Sequence, residues 1–182
     1  MALRLNTIIC STRPGRVGPK VAHWFHDFAV AHGKFDAALV DLADFELPIF
    51  DEPKHPRLAQ YEHAHTKRWA ESVASADAFV FVTPEYNHSV PGGFKNAFDS
   101  LGNEWGDKPV GFVSDGAESG VRAVEHWRQI VANFRMFGVR QQVSCASFSE
   151  FPDGDFSPND RRAGELNTLL DQLIGATTKL AR

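Results

Sequence analysis

A chain of 182 residues with 43% hydrophobic content is long enough to bury a core without disulfides or structural metals, and residues 1–182 read as a single domain. Charges of both signs are interspersed and sum to -4, which excludes the basic field that would hold a nucleic-acid backbone or an anionic membrane. The only two cysteines, Cys10 and Cys145, lie among small or apolar residues, no leader pattern precedes Arg4, and no apolar run approaches membrane-spanning length, so a reduced, cytoplasmic protein is expected.

Short apolar runs alternate with stretches of helical period, the signature of βαβ units feeding a parallel sheet. The first strand, Leu3 to Cys10, gives way to the loop Ser11 to Gly18, and Pro19 suits the first turn of a helix marked by Val21, Phe25, Phe28 and Ala29. A second strand spans Ala37 to Leu42. The apolar loop Leu47 to Phe50 is expected to pack on something. Helical period resumes from Gln60 to Ser75, and Ala78 to Thr83, apolar on both faces, reads as the central strand. After a loop beginning at Pro84 comes a helix with Phe94, Ala97, Phe98 and Leu101 on one stripe, then a strand from Pro109 to Val113. Val121, Val124, Trp127, Val131 and Phe134 mark the fourth helix, and Val139 to Val143 the fifth strand. Glu150 to Asp160 reads as irregular. Leu166, Leu169, Leu170, Leu173 and Ile174 mark a closing helix, whose Lys179 and Arg182 suit its C-terminal dipole.

Five strands and five helices in alternation predict a doubly wound α/β sheet. A dinucleotide fold would carry G-x-G-x-x-G in its first turn, and Ser11 to Gly18 lacks that pattern. The flavodoxin-like three-layer sandwich, with strand order 2-1-3-4-5, is therefore preferred.

In that order ligands sit outside the carboxyl ends of the strands, so the loops Ser11 to Gly18, Pro84 to Pro91 and Ser114 to Gly120 are expected to converge. The first offers hydroxyls, the guanidinium groups of Arg13 and Arg16, and backbone amides at a helix N-terminus. It reads either as a phosphate monoester site or as a polar loop with solvated arginines. The second presents Pro84, Glu85, Tyr86, Asn87 and His88, where a planar ring can lie on backbone and an aromatic face; the alternative is a surface turn. The third, with Ser114, Gly116, Ser119 and Gly120, permits close backbone approach.

These motifs resemble those of the NAD(P)H-dependent FMN reductase family, a flavodoxin-like branch that includes quinone and azo-dye reductases. The resemblance runs from about Leu5 to Val143. It is carried by Ser11, Thr12, Arg13 and Arg16, by Pro84, Glu85, Tyr86, Asn87 with Pro91 and Lys95, Asn96, Ala97, by Glu104, Trp105, Lys108, Pro109, and by Ser114, Gly116, Ser119, Gly120. It implies that Ser11, Arg13, Arg16 and the amides of Val17 and Gly18 hold the phosphate of flavin mononucleotide (FMN). By the same resemblance Pro84, Glu85, Tyr86 and Asn87 line the isoalloxazine, and the Ser114, Asp115, Gly116 backbone meets its pyrimidine side. NADPH or NADH would deliver hydride to flavin N5 and leave before a small-molecule acceptor enters, with no catalytic side chain of the protein's own. Such sites are often completed across a homodimer, or a dimer of dimers, where Phe50 and Trp105 would lie in either the interface or the core.

Two departures from the family stand out: Cys10 stands where glycine is usual, and where Ser-Tyr-Gly-Gly is common the chain reads Ser114, Asp115, Gly116, Ala117, so that Asp115 replaces an aromatic. A charged Asp115 aimed at the flavin would oppose its anionic reduced form and lower its reduction potential. Two rival functions remain. Cys10 and Arg16 satisfy C-x5-R, as in low-molecular-weight protein phosphatases, although Pro14, Val17 and the lack of an Asp-Pro general acid disagree. A flavodoxin-type electron carrier would bind the same cofactor but serve protein partners. Among eight histidines, His63 with His65 and His23 with His26 suggest a metal, but residues two apart do not share a helix face and the i, i+3 pair lacks an obvious third ligand, so none is expected. His88 either touches substrate or closes a turn.

Overall fold

The structure is a computed structural model that describes residues 2–180, so Arg182 lies outside the described residues. Its strands are β1 (Leu3–Ile9), β2 (Phe35–Asp41), β3 (Ala78–Pro84), β4 (Pro109–Gly116) and β5 (Phe137–Ala146). Its helices are α1 (Gly18–His32), α2 (Ala64–Ala74), α3 (Gly92–Asp99), α4 (Val121–Val131), the short α5 (Ser147–Glu150) and α6 (Arg162–Leu180). All strand pairs are parallel, in the order β2-β1-β3-β4-β5, as the alternation of elements and the first turn predicted.

Helices cover both faces because every residue of β3 is buried, which leaves neither face of the sheet free for water. Phe79, Phe81, Phe94, Phe98, Trp69, Trp105 and Trp127 fill the layer under α2, α3 and α4. Val80, Val82, Val113 and the leucines of α6 pack with Val21 and Phe25 of α1 on the other side. The three buried indole N–H groups donate to Ala97 O (2.8 Å), Phe98 O (3.1 Å) and Thr83 Oγ1 (3.1 Å), so the aromatic layer buries no unpaired indole. Deleting one such ring costs about 3–5 kcal/mol.

Several boundaries differ from those predicted, each for a local reason. β2 stops at Asp41 because its carboxylate accepts from the Ala43 amide at 3.0 Å and starts a 3-10 turn. The fourth helical pattern closes in a 3-10 turn over Ala132–Phe134. β5 is longer than Val139 to Val143 because it is the sheet's edge, where half-exposed polar residues pair with β4 without an apolar signal. Glu150, at the head of the stretch expected to be irregular, instead ends α5, and its buried carboxylate accepts from the Ala146 amide (3.0 Å), the Asn159 amide (3.2 Å) and Arg162 Nε (2.8 Å). Lys20 then ties the same connection to α1 through Asp155 at 2.7 Å.

Trp105 is a core residue, stacked on Phe98, whereas Phe50 is exposed. Leu47 packs on the aromatic layer, and Asn96 grips its loop by donating to Pro48 O at 2.8 Å and accepting from the Phe50 amide at 2.9 Å. One expectation is corrected: the rings of His63 and His65 do meet, stacked 5.3 Å apart beside Asp51. His63 is the extended residue before α2, so helical spacing does not govern the pair. Among the described residues, no group of three His, Cys, Asp or Glu is arranged to hold a metal ion.

Candidate functional site

The β1 loop, the β3 loop and the β4 loop leave the same edge of the sheet, and they touch. Pro84 is in register with Asp115, the Glu85 amide donates to Asp115 O at 3.1 Å, and Thr12 lines a cavity of about 400 Å3 with Gly92 and Gly93 of α3. Leu42, Leu47, Ile49 and Asn96 complete that cavity.

In the first loop the Arg16 amide donates to Arg13 O at 3.2 Å, closing a turn with Pro14 and Gly15 at its centre. Gly15 has φ 73°, a conformation that side chains resist, and proline beside it presets the turn. The chain then enters α1 with no capping side chain and no acidic residue in the first turn, so the helix presents unpaired amides and the positive end of its dipole. Ser11 lies beneath, buried, and its hydroxyl has no hydrogen-bond partner among the described residues. A methyl group on Gly18 would lie 2.6 Å from that hydroxyl, so the approach requires glycine.

The two arginines of this loop part company. Arg13 is exposed, with one N–H on Pro14 O at 3.1 Å. Arg16 turns toward β2, where both of its terminal nitrogens bond the Asp41 carboxylate at 2.7 Å, and it also donates to Ser11 O. The bond to Asp41 raises its pKa further, and the fork holds the loop to the sheet from below.

The second loop is a tight hairpin. Tyr86 and Ser89 exchange backbone bonds at 3.0 and 3.1 Å, with Asn87 (φ 48°) and His88 (φ 71°) at the tip, both exposed. Tyr86 is half-buried. The Glu85 side chain turns to α4, accepting from the Arg122 amide at 3.1 Å and from its Nε at 2.5 Å. Burial acts to raise the Glu85 pKa, but the bonds from Arg122 outweigh it and hold the carboxyl below its usual range. β4 runs on through Gly116, past its expected end at Val113, because Ser114, Asp115 and Gly116 still pair with β5; from there Ser114 Oγ donates to Ser119 O of the third loop at 2.7 Å.

Asp115 is only 4% exposed, and its Oδ1 has no partner among the described residues. Desolvation pushes its pKa up to about 6. Cys10 is fully buried, and burial together with the nearby Asp115 drives its thiol far above the ordinary range. A phosphatase nucleophile needs an accessible thiolate, so that reading is overturned.

A family profile described as NADPH-dependent FMN reductase matches residues 3–150, which include all three loops. This chain belongs to the NADPH-dependent FMN reductase family. It is 41% identical to an NAD(P)H-dependent FMN reductase of Nectria sp over 66% of this chain and 63% of that one. It is 36% identical to an NAD(P)H-dependent FMN reductase of Schizosaccharomyces pombe, over 73% and 68% of the two chains. A quinone reductase of Escherichia coli is 33% identical over 71% and 69%. The match thus spans under two thirds of the Nectria protein's length. Among solved structures, the flavoenzyme NAD(P)H:(acceptor) oxidoreductase FerB of Paracoccus denitrificans superposes with TM-score 0.75 over 97% of this chain and 98% of that one; at 20% identity this shows a shared fold.

The family's flavin fits the chemistry of this edge. A phosphate dianion answers the uncapped amides of α1, the unpaired Ser11 hydroxyl and the exposed Arg13 together. Four contributors escaped the sequence reading as site residues: Asp41, Asn96, Arg122 and the Gly92, Gly93 pair. Asn96 lay within the motif that carries the resemblance. Asp41 and Arg122 had no local signal, because each acts on a loop more than twenty residues away.

Proposed function

We propose that this single-domain protein is an NAD(P)H-dependent flavin reductase that holds FMN at the carboxyl edge of its sheet. The observation that carries the reading is the Ser11 hydroxyl, unpaired beneath the uncapped N-terminus of α1. Ser11, Arg13 and the Val17 and Gly18 amides bind the phosphate, while Arg16 serves them by holding the loop to Asp41. Pro84, Tyr86 and Asn87 line the ring system with the backbone of Glu85 and of Ser114, Asp115 and Gly116, and the Glu85 carboxylate keeps the hairpin against α4. When bound, FMN supplies the two-electron step between a reduced nicotinamide and the acceptor.

The acceptor class is a small flavin or quinone, a reading supported by the reductase and quinone reductase relatives. Ile49, 88% exposed, lines the cavity at Thr12, and together with its exposed neighbour Phe50 it supports a homodimer whose second copy closes that cavity. Two free buried thiols suit a reducing cytoplasm. An Asp115 that has lost its proton lowers the flavin's reduction potential, so an Asp115→Tyr variant is expected to show a raised midpoint; no rise would refute that role.

The test of the whole reading is the visible spectrum of purified protein with added FMN, before and after anaerobic NADPH. Stoichiometric FMN uptake followed by rapid bleaching is expected. Uptake without bleaching identifies an electron carrier instead, and no uptake sinks both.

A further inference from the structure

We infer that His126 is a positioning residue for the hairpin Glu85 to Ser89, acting through the Ser89 hydroxyl; the inference rests on that hairpin lining the flavin. Ser89 Oγ and His126 Nδ1 are 2.8 Å apart, and the hydroxyl donates to Nδ1 whenever that nitrogen carries no proton. Four residues earlier on α4, Arg122 holds Glu85. Residues four apart share one helix face about 5–6 Å apart, which matches the separation of two chains at the base of a hairpin. Glu85 and Ser89 flank that base, since Tyr86 and Ser89 pair through both backbone bonds. A third bond, from Trp127 Nε1 to Thr83 Oγ1 at 3.1 Å, fixes α4 against the strand that feeds the loop.

The hairpin needs such an anchor. Asn87 and His88 both hold positive φ, a conformation that costs energy for residues other than glycine, and two backbone bonds alone make a weak two-residue turn. Arg122 secures the strand entering the tip and His126 the strand leaving it, so Tyr86 is presented at a set height above the sheet edge. Loss of the Ser89 to His126 bond frees one side only. The ring-lining residues then lose their preset orientation while the phosphate loop is untouched.

The test compares His126→Leu, His126→Asn and Ser89→Ala with the parent chain. Asparagine places a hydrogen-bonding atom where Nδ1 lies, so it is the conservative variant. In apoprotein, hydrogen exchange of the Tyr86 and Ser89 amides is expected to accelerate at least tenfold in His126→Leu and Ser89→Ala, and to return toward the parent rate in His126→Asn. With FMN, His126→Leu and Ser89→Ala are expected to show an altered visible circular dichroism of the flavin and a several-fold higher KM for the nicotinamide, with kcat within twofold. Because Ser89→Ala removes a single oxygen, it keeps the test valid should His126→Leu fail to fold. Unchanged exchange and an unchanged flavin spectrum in Ser89→Ala would overturn the inference. A parent chain that takes up no FMN would instead overturn the flavin reading, while accelerated exchange in the variants would still support the clamp.

Discussion

The loops that follow β1 and β3 leave the same sheet edge but are built on opposite terms. The β3 hairpin is tied at both flanks, Glu85 to Arg122 and Ser89 to His126, and its two backbone bonds close on themselves. The β1 loop is closed by its own turn and secured from below by the fork of Arg16 on Asp41, and it leaves uncapped amides and an unpaired Ser11 hydroxyl. A polar group left unpaired costs stability unless something else completes it, so the Ser11 hydroxyl and the α1 amides are the groups proposed to meet the ligand, while the paired groups of the β3 hairpin hold a surface in shape.

Asp115 puts that distinction under most strain, since its Oδ1 is unpaired too, yet it is buried and shares the sheet edge with a loop suited to an anion. Its proton is held more tightly in the folded state, with a pKa moved from 3.8 to about 6, so its contribution to stability falls as pH rises through that window. Two units at about 1.4 kcal/mol each make the loss about 3 kcal/mol above pH 6. Urea unfolding of apo Asp115→Asn at pH 4 and pH 8 is expected to lack that decline. If the parent shows no such decline either, the burial of a lone carboxyl there is wrong.

The paired loop is sharpened by Arg122→Ala, which strands a Glu85 side chain that is 6% exposed and is expected to cost about 2 kcal/mol at pH 7. The Glu85 pKa is depressed in the fold, so its bonds stabilise above the usual carboxylate range and fade as pH falls through the folded value. The penalty of the variant should therefore shrink in acid, as equilibrium unfolding at pH 3 and pH 7 would register.

The unpaired loop answers to smaller changes. Gly18→Ala places carbon 2.6 Å from Ser11 Oγ, turning that hydroxyl aside, and is expected to weaken FMN binding about thirtyfold, or about 2 kcal/mol, by flavin fluorescence titration. Ser11→Ala removes a hydroxyl that no protein group uses. Its stability should stay within about 0.5 kcal/mol of the parent while FMN affinity drops about tenfold. A stability loss without an affinity loss would place the hydroxyl in the fold rather than the site.

Much of this was legible in the chain. The run Ala78 to Thr83, apolar on both faces, reads as a strand covered on both sides, and the absence of G-x-G-x-x-G after Cys10 separated two sheet orders. The three loops were found because turn residues must follow each strand at the ligand-bearing edge. Less visible were the partners. Arg16 was grouped with Arg13 because both lie within one short loop, and nothing local distinguishes an arginine that meets solvent from one that meets Asp41. His63 and His65 were kept apart by a helical rule that fails one residue before the helix begins.

The sequence by itself determined the alternation of elements, the sheet order and the family, because periodicity, turn chemistry and motif spacing are local and survive in one dimension. Only the tertiary structure decided which polar atoms of those loops are already paired. Hydrogen-bond partners such as Asp41, Arg122 and His126 come from distant segments brought near by the packing of helices on the sheet, and their pairing separates the groups already bonded within the protein from those proposed to meet the ligand.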